Sequence, residues 1–331
     1  MSVRQSLSVR QEVKKLLEAN RDKSLSGQEI ADKLGVTRAA VWKAVNVLKQ
    51  EGYEIEAVNN LGYRLREESD ILSAEGIGLK LEEKYRQNPI FVYKKIDSTN
   101  QEVKRKALEG AEEGLVVLAE EQTAGKGRRG RSFYSPSGCG IYMSILFRPT
   151  KEQTKDVVLV TTAASVAVCR AIRGVLNEEP EIKWVNDVCL RGKKICGILT
   201  EAVSDFESGQ IDLVVVGIGI NYAVPEQGYP EQLRDTVGAV CNDGEKIPRN
   251  VLAAAVLNEL FALYDSLSDK KYIEDYRRWS NVIGKEIRFT SDDGWVDAHA
   301  VDICDDGGLL VELKNGDREI LHTGEITLRV Y

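Results

Sequence analysis

The segment from Gln122 to Arg131 has the composition of a loop that binds an anion. It reads QTAGKGRRGR, so four cationic side chains fall within residues 126–131 and glycines separate them. Glycine lets a backbone approach a ligand closely and present its N–H groups, while arginine and lysine supply charge for phosphate or carboxylate. Taken alone, the segment fits an anionic small molecule no better than an exposed basic loop or an RNA-binding patch.

Four further motifs accompany this loop along the chain. They are Asp97-Ser98-Thr99-Asn100 before it, and KWVND (183–187), KICGIL (194–199) and GIGIN (217–221) after it. These five motifs, in this order, resemble the biotin–protein ligase family, and the resemblance extends from about residue 90 to the end of the chain. Five motifs in one order are far more specific than any single one.

The resemblance implies which residues contact the biotin ring. The family's hydroxyl and amide positions correspond to Ser98, Thr99, Asn100 and Gln122. A ureido group offers two N–H donors and one carbonyl, which such side chains match well. The alternative is that the first two of these residues only cap a helix.

The resemblance also assigns contacts to the rest of biotin. The family's loop residues that touch biotin and close over the activated product correspond to Lys126, Gly127 and Arg128. Lys126 stands where relatives usually have arginine, so it keeps the charge but loses the bidentate fork. Gly197 and Gly217 fall beside biotin as well, where small residues are expected because a ligand crosses a strand closely.

The family's central basic residue corresponds to Lys194. It would bridge the biotin carboxylate and the α-phosphate of ATP, gathering charge in the transition state. Lys193 is the competitor; in a strand the two side chains point to opposite faces, and the register with Gly197 favours Lys194. Lys194, Arg128 and Asp187 form the predicted catalytic set.

The predicted ATP contacts are Arg129, Arg131, Lys183, Asn186 and Asn221. Asp187, which we expect at the end of a strand with Asn186, could hold Mg²⁺; the alternative is a simple Asn-Asp turn. A histidine/cysteine metal site is not expected, because the only two histidines, at positions 299 and 322, have no C-x-x-C pair near them.

The elements that must position these residues are strands beside segregated helices, which predicts an α+β catalytic domain. The expected strands are residues 114–122, 140–147, 181–187, 194–203 and 211–221, and the expected helices are residues 154–175 and 249–267. From Gly284 onward, short strands alternate with turn signals at 292–294, 305–308 and 315–316. That pattern predicts a small SH3-like β-barrel.

The first 66 residues predict a winged helix-turn-helix. Capping signals at Ser8, Ser26 and Thr37 precede apolar residues at helical intervals, Gly35 allows a sharp turn, and a hairpin around residues 59–60 follows as the wing. The second helix of such a motif enters the major groove. The predicted DNA contacts are Ser26, Gly27, Gln28, Thr37, Arg38, Ala39, Ala40, Trp42, Lys43 and Asn46.

Charge is distributed in keeping with this prediction. Residues 1–66 carry 12 Lys/Arg against 8 Asp/Glu, a net charge of +4, whereas the remainder has a net charge of −11. A basic block on an acidic body indicates that one module meets a polyanion. The alternative is a three-helix protein-interaction module with solvated charges.

We therefore predict three domains: 1–66 for DNA binding, 67–283 for catalysis and 284–331 for the small β-barrel. No stretch approaches 18 uncharged apolar residues, the start lacks a signal-peptide pattern, and the six cysteines are scattered. A cytoplasmic protein with reduced thiols and no membrane contact is expected.

The resemblance implies a two-step function. Biotin and Mg-ATP would give biotinyl-5′-AMP, and a lysine of a biotin carboxyl carrier domain would then accept the biotin. The loaded protein would form a ligand-dependent homodimer on operator DNA and repress transcription. The alternatives are a lipoate–protein ligase and a ligand-sensing repressor without catalysis.

Overall fold

A computed structural model describes residues 8–21, 23–58, 61–149, 157–204, 211–241, 247–291, 294–322, 324 and 326–328. The chain divides into two compact units. One comprises Met1–Arg86 with Lys246–Ala254, and the other comprises Gln87–Glu245 with Ala255–Tyr331. The domain boundaries expected at residues 66 and 283 stay predictions.

The first unit contains the expected helix-turn-helix. Its elements are α1 (Val9–Ala19), α2 (Gly27–Leu34), α3 (Arg38–Gln50), β1 (Ile55–Val58), β2 (Gly62–Leu65) and α4 (Ala74–Gly78). Ser26 and Thr37 cap α2 and α3 by accepting hydrogen bonds from Glu29 N and Ala40 N. Gly35 ends α2 in the left-handed region, at φ 65°, which turns the chain toward α3.

The two short strands form the predicted hairpin. β1 and β2 pair in antiparallel fashion, with Ile55 opposite Leu65. The turn expected at residues 59–60 lies outside the described residues. Leu25 bridges Tyr63 and so ties the hairpin to the segment before α2.

The second unit is built on a seven-stranded sheet in the order β3-β4-β5-β9-β8-β7-β6. The strands are β3 (Ile90–Tyr93), β4 (Val116–Ala119), β5 (Gly140–Phe147), β6 (Glu181–Lys183), β7 (Asp187–Leu190), β8 (Lys193–Ser204) and β9 (Ile211–Asn221). Among these described strands, β3 and β4 pair in parallel and the other neighbouring pairs are antiparallel. The helices are α5 (Thr99–Leu108), α6 (Val157–Leu176), α7 (Arg249–Asp265), whose first turns belong to the first unit, and α8 (Tyr272–Trp279).

The prediction of a single strand over residues 181–187 is wrong. β6 stops at Lys183, a turn occupies 184–186, and Asp187 begins β7 rather than ending a strand. Hydrogen bonds hold this turn in place: Trp184 Nε1 donates to Gly307 O and Tyr276 Oη donates to Val185 O, both at 3.0 Å. Tertiary contacts therefore override the local extended pattern.

Helix α5 was not expected as an element, although a helix cap at Ser98 or Thr99 was the alternative considered there. Ser98 occupies the N-cap position but its side chain makes no capping bond. The sequence TNQEVKRKAL is mostly polar, and Val103 and Ala107 supply its buried face. They pack against the sheet beside Val117 and Val215.

Helix α6 is a core helix. Its segment Leu159–Leu176 has the length and hydropathy of a membrane span, although it includes Arg170 and Arg173, and 67% of it is buried inside the protein. It packs against β6, β7, β8 and β9. Burial against the sheet accounts for its apolar composition.

The C-terminal part is an antiparallel β domain, as predicted. Strands β10 (Glu286–Ser291), β11 (Gly294–Ile303), β12 (Leu309–Leu313), β13 (Arg318–Leu321) and β14 (Ile326–Leu328) pair in the order β13-β12-β11-β10-β14. Two expected turns, at 305–308 and 315–316, join β11 to β12 and β12 to β13. The third falls partly at 292–293, outside the described residues.

Candidate active site

A cavity of about 700 Å³ opens over the middle of the seven-stranded sheet. Its walls are β5, β8 and β9, the glycine–arginine loop, the segment around residues 229–237, and the edge of the C-terminal sheet near Trp295 and Thr327. This volume suits a small organic ligand together with a nucleotide.

The cavity gathers nearly all of the residues predicted to bind biotin or ATP. Those that line it are Ser98, Thr99, Asn100, Gln122, Lys126, Gly127, Arg128, Arg131, Lys183, Asn186, Asp187, Lys194, Gly197, Gly217 and Asn221. Arg129 does not line it; its Nη1 donates instead to Thr290 Oγ1 at 3.2 Å. The ligand role of each residue stays a prediction.

The predicted ring-binding residues form one hydrogen-bonded group. Gln122 Oε1 accepts from Thr99 N at 2.8 Å and lies 3.0 Å from Thr99 Oγ1. Gln122 Nε2 donates to Ser135 Oγ at 3.0 Å. The side chains of Thr99 and Gln122 are therefore held in fixed orientations before any ligand arrives.

Glycines form part of the cavity floor, where no side chain rises from the sheet. Gly197 on β8 lies opposite Gly219 on β9. A Cβ at Gly219 would lie 2.5 Å from the Phe133 ring, and one at Gly217 would collide with Asn100 Oδ1. At these positions a side chain would take the space that neighbouring residues already occupy.

Cationic groups cluster at the other end of the cavity. Lys194 Nζ lies 2.6 Å from Asp187 Oδ1, and Arg128 Nη1 donates to Asn186 Oδ1 at 3.0 Å. Lys193, the competitor of Lys194, does not line the cavity and donates to Arg234 O at 2.9 Å. Of the two lysines, only Lys194 is placed to meet a ligand there.

The glycine–arginine loop is folded back on itself. Gly127 N donates to Arg131 O at 2.7 Å, and Phe133 N donates to Gly125 O at 2.8 Å. Arg129 takes a left-handed conformation, at φ 53°, inside the short turn Arg128–Gly130. This conformation turns Arg129 toward the C-terminal sheet, while its neighbours Arg128 and Arg131 line the cavity.

Sequence reasoning missed several residues of the cavity wall. Phe133 and Tyr134 follow the loop directly, and Trp295 comes from the hairpin of β10 and β11, 53% exposed. The aromatic pair next to the basic loop was a usable signal. Trp295 had none, because nothing local shows that the C-terminal sheet borders the cavity.

Of the six cysteines, Cys189 is the one that lines the cavity, and its thiol is not a candidate nucleophile. Burial raises the pKa of this thiol to about 11, so it stays protonated at neutral pH. Within the described residues, no three His, Cys, Asp or Glu side chains gather as a metal site. Two carboxylates, Asp187 and Asp235, line the cavity, and such isolated carboxylates fit a magnesium ion held jointly with substrate phosphates rather than by a protein cage.

The predicted DNA contacts lie along α2 and α3 of the first unit. Gln28, Thr37, Arg38, Ala39, Trp42 and Lys43 are exposed, while Ser26, Gly27, Ala40 and Asn46 are half-buried. Trp42 is 58% exposed, which is unusual for so large an apolar side chain on a helix. Ser26 and Thr37 also serve as helix caps, so their side-chain oxygens are already engaged.

Comparison with known proteins gives the class. An HTH domain model matches residues 9–64, the biotin/lipoate A/B protein ligase family model matches residues 92–221, and a biotin protein ligase C-terminal domain model matches residues 282–329. The fold and cavity are thus those of a biotin/lipoate-type ligase preceded by a helix-turn-helix.

Individual relatives narrow this further. The bifunctional ligase/repressor BirA of Bacillus spizizenii is 35% identical over 309 residues, covering 89% of this chain and 91% of the relative. The protein of the same name in Escherichia coli is 29% identical, covering 92% of each chain. The chain therefore belongs to the bifunctional biotin ligase/repressor family, and it is an enzyme of the biotin–protein ligase class.

A solved structure agrees. The biotin protein ligase from Aquifex aeolicus in complex with biotin and ATP is 25% identical, covers 73% of this chain and 98% of that chain, and superposes with a TM-score of 0.61. The family resemblance inferred from the five motifs, and the α+β fold with its helix-turn-helix and C-terminal β domain, are confirmed.

Proposed function

We propose that this protein activates biotin as biotinyl-5′-AMP, transfers it to a lysine of a biotin carboxyl carrier domain, and represses biotin genes when the adenylate is bound. The observation that carries this proposal is the cavity itself. It joins a polar, hydroxyl- and amide-lined end to a cationic end within one continuous space. Biotin has a ureido ring and a carboxylate, and ATP brings the phosphates.

In the first step, a biotin carboxylate oxygen attacks the α-phosphorus of ATP. The bond to the β-phosphate oxygen breaks, and pyrophosphate leaves. Lys194 and Arg128, which line the cavity, would stabilise the negative charge that gathers in the transition state, without a covalent enzyme intermediate. Asp187 would hold Mg²⁺ together with the phosphates, and the ion would supply further charge neutralisation.

In the second step, the acceptor lysine amine attacks the acyl carbon of the mixed anhydride. AMP leaves with the bonding electrons, and the amine loses a proton. The glycine–arginine loop, folded over this end of the cavity, would shield the anhydride from water. Arg131, Lys183, Asn186 and Asn221 would hold the nucleotide, and Arg129 would join them if ligand binding releases it from Thr290.

The repressor role rests on the exposed face of α3. Arg38 at its start would read a guanine or hold a phosphate, with Trp42 and Lys43 one turn on. Dimerisation of the adenylate-loaded protein would set two such helices on two half-sites of an operator. A cytoplasmic location fits both roles, and all six cysteines are free thiols.

The experiment is transfer of labelled biotin to an apo acceptor domain, with and without ATP, alongside footprinting of operator DNA. ATP-dependent labelling of one acceptor lysine, and DNA protection that strengthens with biotin plus ATP, are expected. Binding of biotin without any transfer would favour the ligand-sensing repressor. Transfer of lipoate in preference to biotin would favour the lipoate–protein ligase.

A further inference from the structure

Asp235 lines the cavity from a segment whose backbone is tied to β8. Lys194 N donates to Thr236 O at 2.8 Å, and Lys193 Nζ donates to Arg234 O at 2.9 Å. The residues on both sides of Asp235 are therefore held to the start of the strand that carries Lys194. These bonds fix the backbone from which the Asp235 carboxylate extends.

This carboxylate differs from the other one that lines the cavity. The Asp187 side chain is 23% exposed, and its Oδ1 is already paired with Lys194 Nζ. Asp235 is exposed, and among the residues that the structure describes its carboxylate makes no hydrogen bond or ion pair. Asp235 therefore offers an unpaired negative charge at the solvent-exposed edge of the cavity.

The described part of the cavity wall is otherwise rich in positive charge. Its cationic side chains are Lys126, Arg128, Arg131, Lys183 and Lys194. Such a set suits a triphosphate, but only one phosphate stays in the adenylate after pyrophosphate has left. The acceptor lysine arrives afterwards, and at neutral pH it is an ammonium group, because lysine has a pKa of about 10.4. Repulsion from the cationic wall opposes its approach.

We propose that Asp235 binds the ammonium group of the acceptor lysine and positions its nitrogen for attack on the adenylate. The carboxylate offsets the repulsion from the cationic wall and gives the ammonium group a charge-assisted hydrogen bond. Asp187 is less suited to this role, because it is partly buried and already holds Lys194. The inference rests on the proposed function, in which a lysine of a carrier domain is the second substrate.

The transfer step balances with these groups and water. The ammonium group loses one proton to water and becomes a nucleophile, while one of its N–H groups donates to Asp235. The C–N bond then forms and the acyl C–O bond breaks, so that AMP leaves with the bonding electrons. The proton that the nitrogen loses as the amide forms passes to the Asp235 carboxylate and from there to water.

The test is Asp235→Asn in the full-length protein, since asparagine keeps the shape of this exposed side chain and removes its charge. Pyrophosphate exchange with biotin and ATP measures the first step, and its rate and the KM for ATP should stay within about twofold. Transfer of biotin to the apo acceptor domain should lose at least about tenfold in kcat/KM, because a hydrogen bond to a charged group is lost.

Two further measurements separate charge pairing from structural damage. Hydroxylamine is uncharged at neutral pH and attacks the adenylate to give a hydroxamate. Its rate should be the same in wild-type protein and in Asp235→Asn, because an uncharged amine is not repelled. Raising the pH from 7 toward 10 neutralises a growing fraction of the acceptor lysine, so the difference in acceptor transfer between the two proteins should shrink.

Glu231→Gln is the matched control. Glu231 is an exposed carboxylate four positions earlier in the same segment, but it does not line the cavity. This variant should keep its transfer kcat/KM within about twofold. An equal loss in Asp235→Asn and Glu231→Gln would indicate general attraction between the acceptor domain and surface charge, and it would overturn the specific contact.

The remaining outcomes are distinct. Slower pyrophosphate exchange in Asp235→Asn, or a higher Mg²⁺ requirement in that assay, would assign Asp235 to the nucleotide or its metal ion and overturn the inference. Unchanged acceptor transfer would also overturn it, while leaving the proposed function intact. Failure of the wild-type protein to transfer biotin to the acceptor would overturn the proposed function and the inference with it.

Discussion

Lys194 Nζ and Asp187 Oδ1 form an ion pair at 2.6 Å inside the cavity. The two residues lie on the neighbouring strands β8 and β7 but are not register partners. A bulge between Val188 and Cys189 shifts the pairing of β7 with β8 at this point. The carboxylate holds the ammonium group at the cationic end before substrates bind. In the proposed mechanism, such preorganisation lowers the reorganisation needed in the transition state.

Replacing Lys194 by methionine should therefore reduce kcat for biotin adenylation by about 100-fold to 1,000-fold, because the developing phosphate charge loses one of the cations that line the cavity. The measurement is pyrophosphate exchange with biotin and ATP. Lys193→Met is the control, since that side chain lies outside the cavity, and it should keep at least about half of the activity. Equal losses in both variants would contradict the assignment.

Replacing Arg128 by glycine should open the cationic end and let biotinyl-5′-AMP escape. The guanidinium group bonds to Asn186 across the cavity, so its loss frees one side of the loop. Released adenylate would react with lysines at random, and proteome-wide labelling would show many biotinylated proteins. Labelling confined to the one acceptor lysine would count against a role of this loop in retaining the intermediate.

Replacing Gly217 by alanine should weaken biotin binding by about tenfold or more, because the new methyl group would collide with the Asn100 amide. Calorimetry measures the Kd. Gly174→Ala on α6 is a matched control: nothing lies within 4 Å of its Cβ position. That change should leave the Kd unaltered and raise stability slightly, since alanine favours a helix over glycine.

The stability of the second unit should depend on pH through Asp97. Hydrogen bonds of 2.6 and 3.0 Å from Arg105 hold the pKa of this carboxyl at about 2. Since the unfolded chain has an ordinary pKa of about 3.9, the stabilisation is complete above roughly pH 5 and declines as the pH falls toward 2. The pKa of Asp97 is lower in the folded state than in the unfolded chain, so acidification removes the stabilisation that the ionised carboxylate provides.

Urea denaturation of wild-type protein and Asp97→Asn, measured between pH 6 and pH 3, tests this. The difference in free energy of unfolding between the two proteins should shrink on acidification. A difference that stays constant or grows would show that the Arg105 pair does not lower the pKa of Asp97.

Most of the candidate site could be predicted from local sequence motifs. The segments 98–100, 126–128, 183–187 and 194–197 have short-range signals in type and spacing, and the structure brings most of their residues to one cavity. Capping at Ser26 and Thr37 likewise depends on neighbours three residues away, and both caps are present. Such short-range interactions can be predicted from a sequence because the two partners lie within a few residues of each other.

Contacts between residues that lie far apart in the chain could not be predicted from the sequence. The turn at residues 184–186 depends on Gly307 and Tyr276, about a hundred positions further along the chain. Glu201, on β8, meets Asn100 and Lys104 of α5 only in the folded structure, although about a hundred positions separate them in the chain. Nothing in the spacing of these residues indicates that they meet, so no rule of periodicity would have paired them.

The row of glycines on β8 and β9 has a consequence for altering the ligand. These positions contribute no side-chain atoms, yet they set how deep a molecule can sit, because Phe133 and Asn100 lean directly over them. A search for new acyl specificities should therefore begin by varying Gly217 and Gly219 together with the aromatic and amide groups above them. Randomising the charged residues alone would change how firmly a ligand is held while leaving its permitted shape as it is.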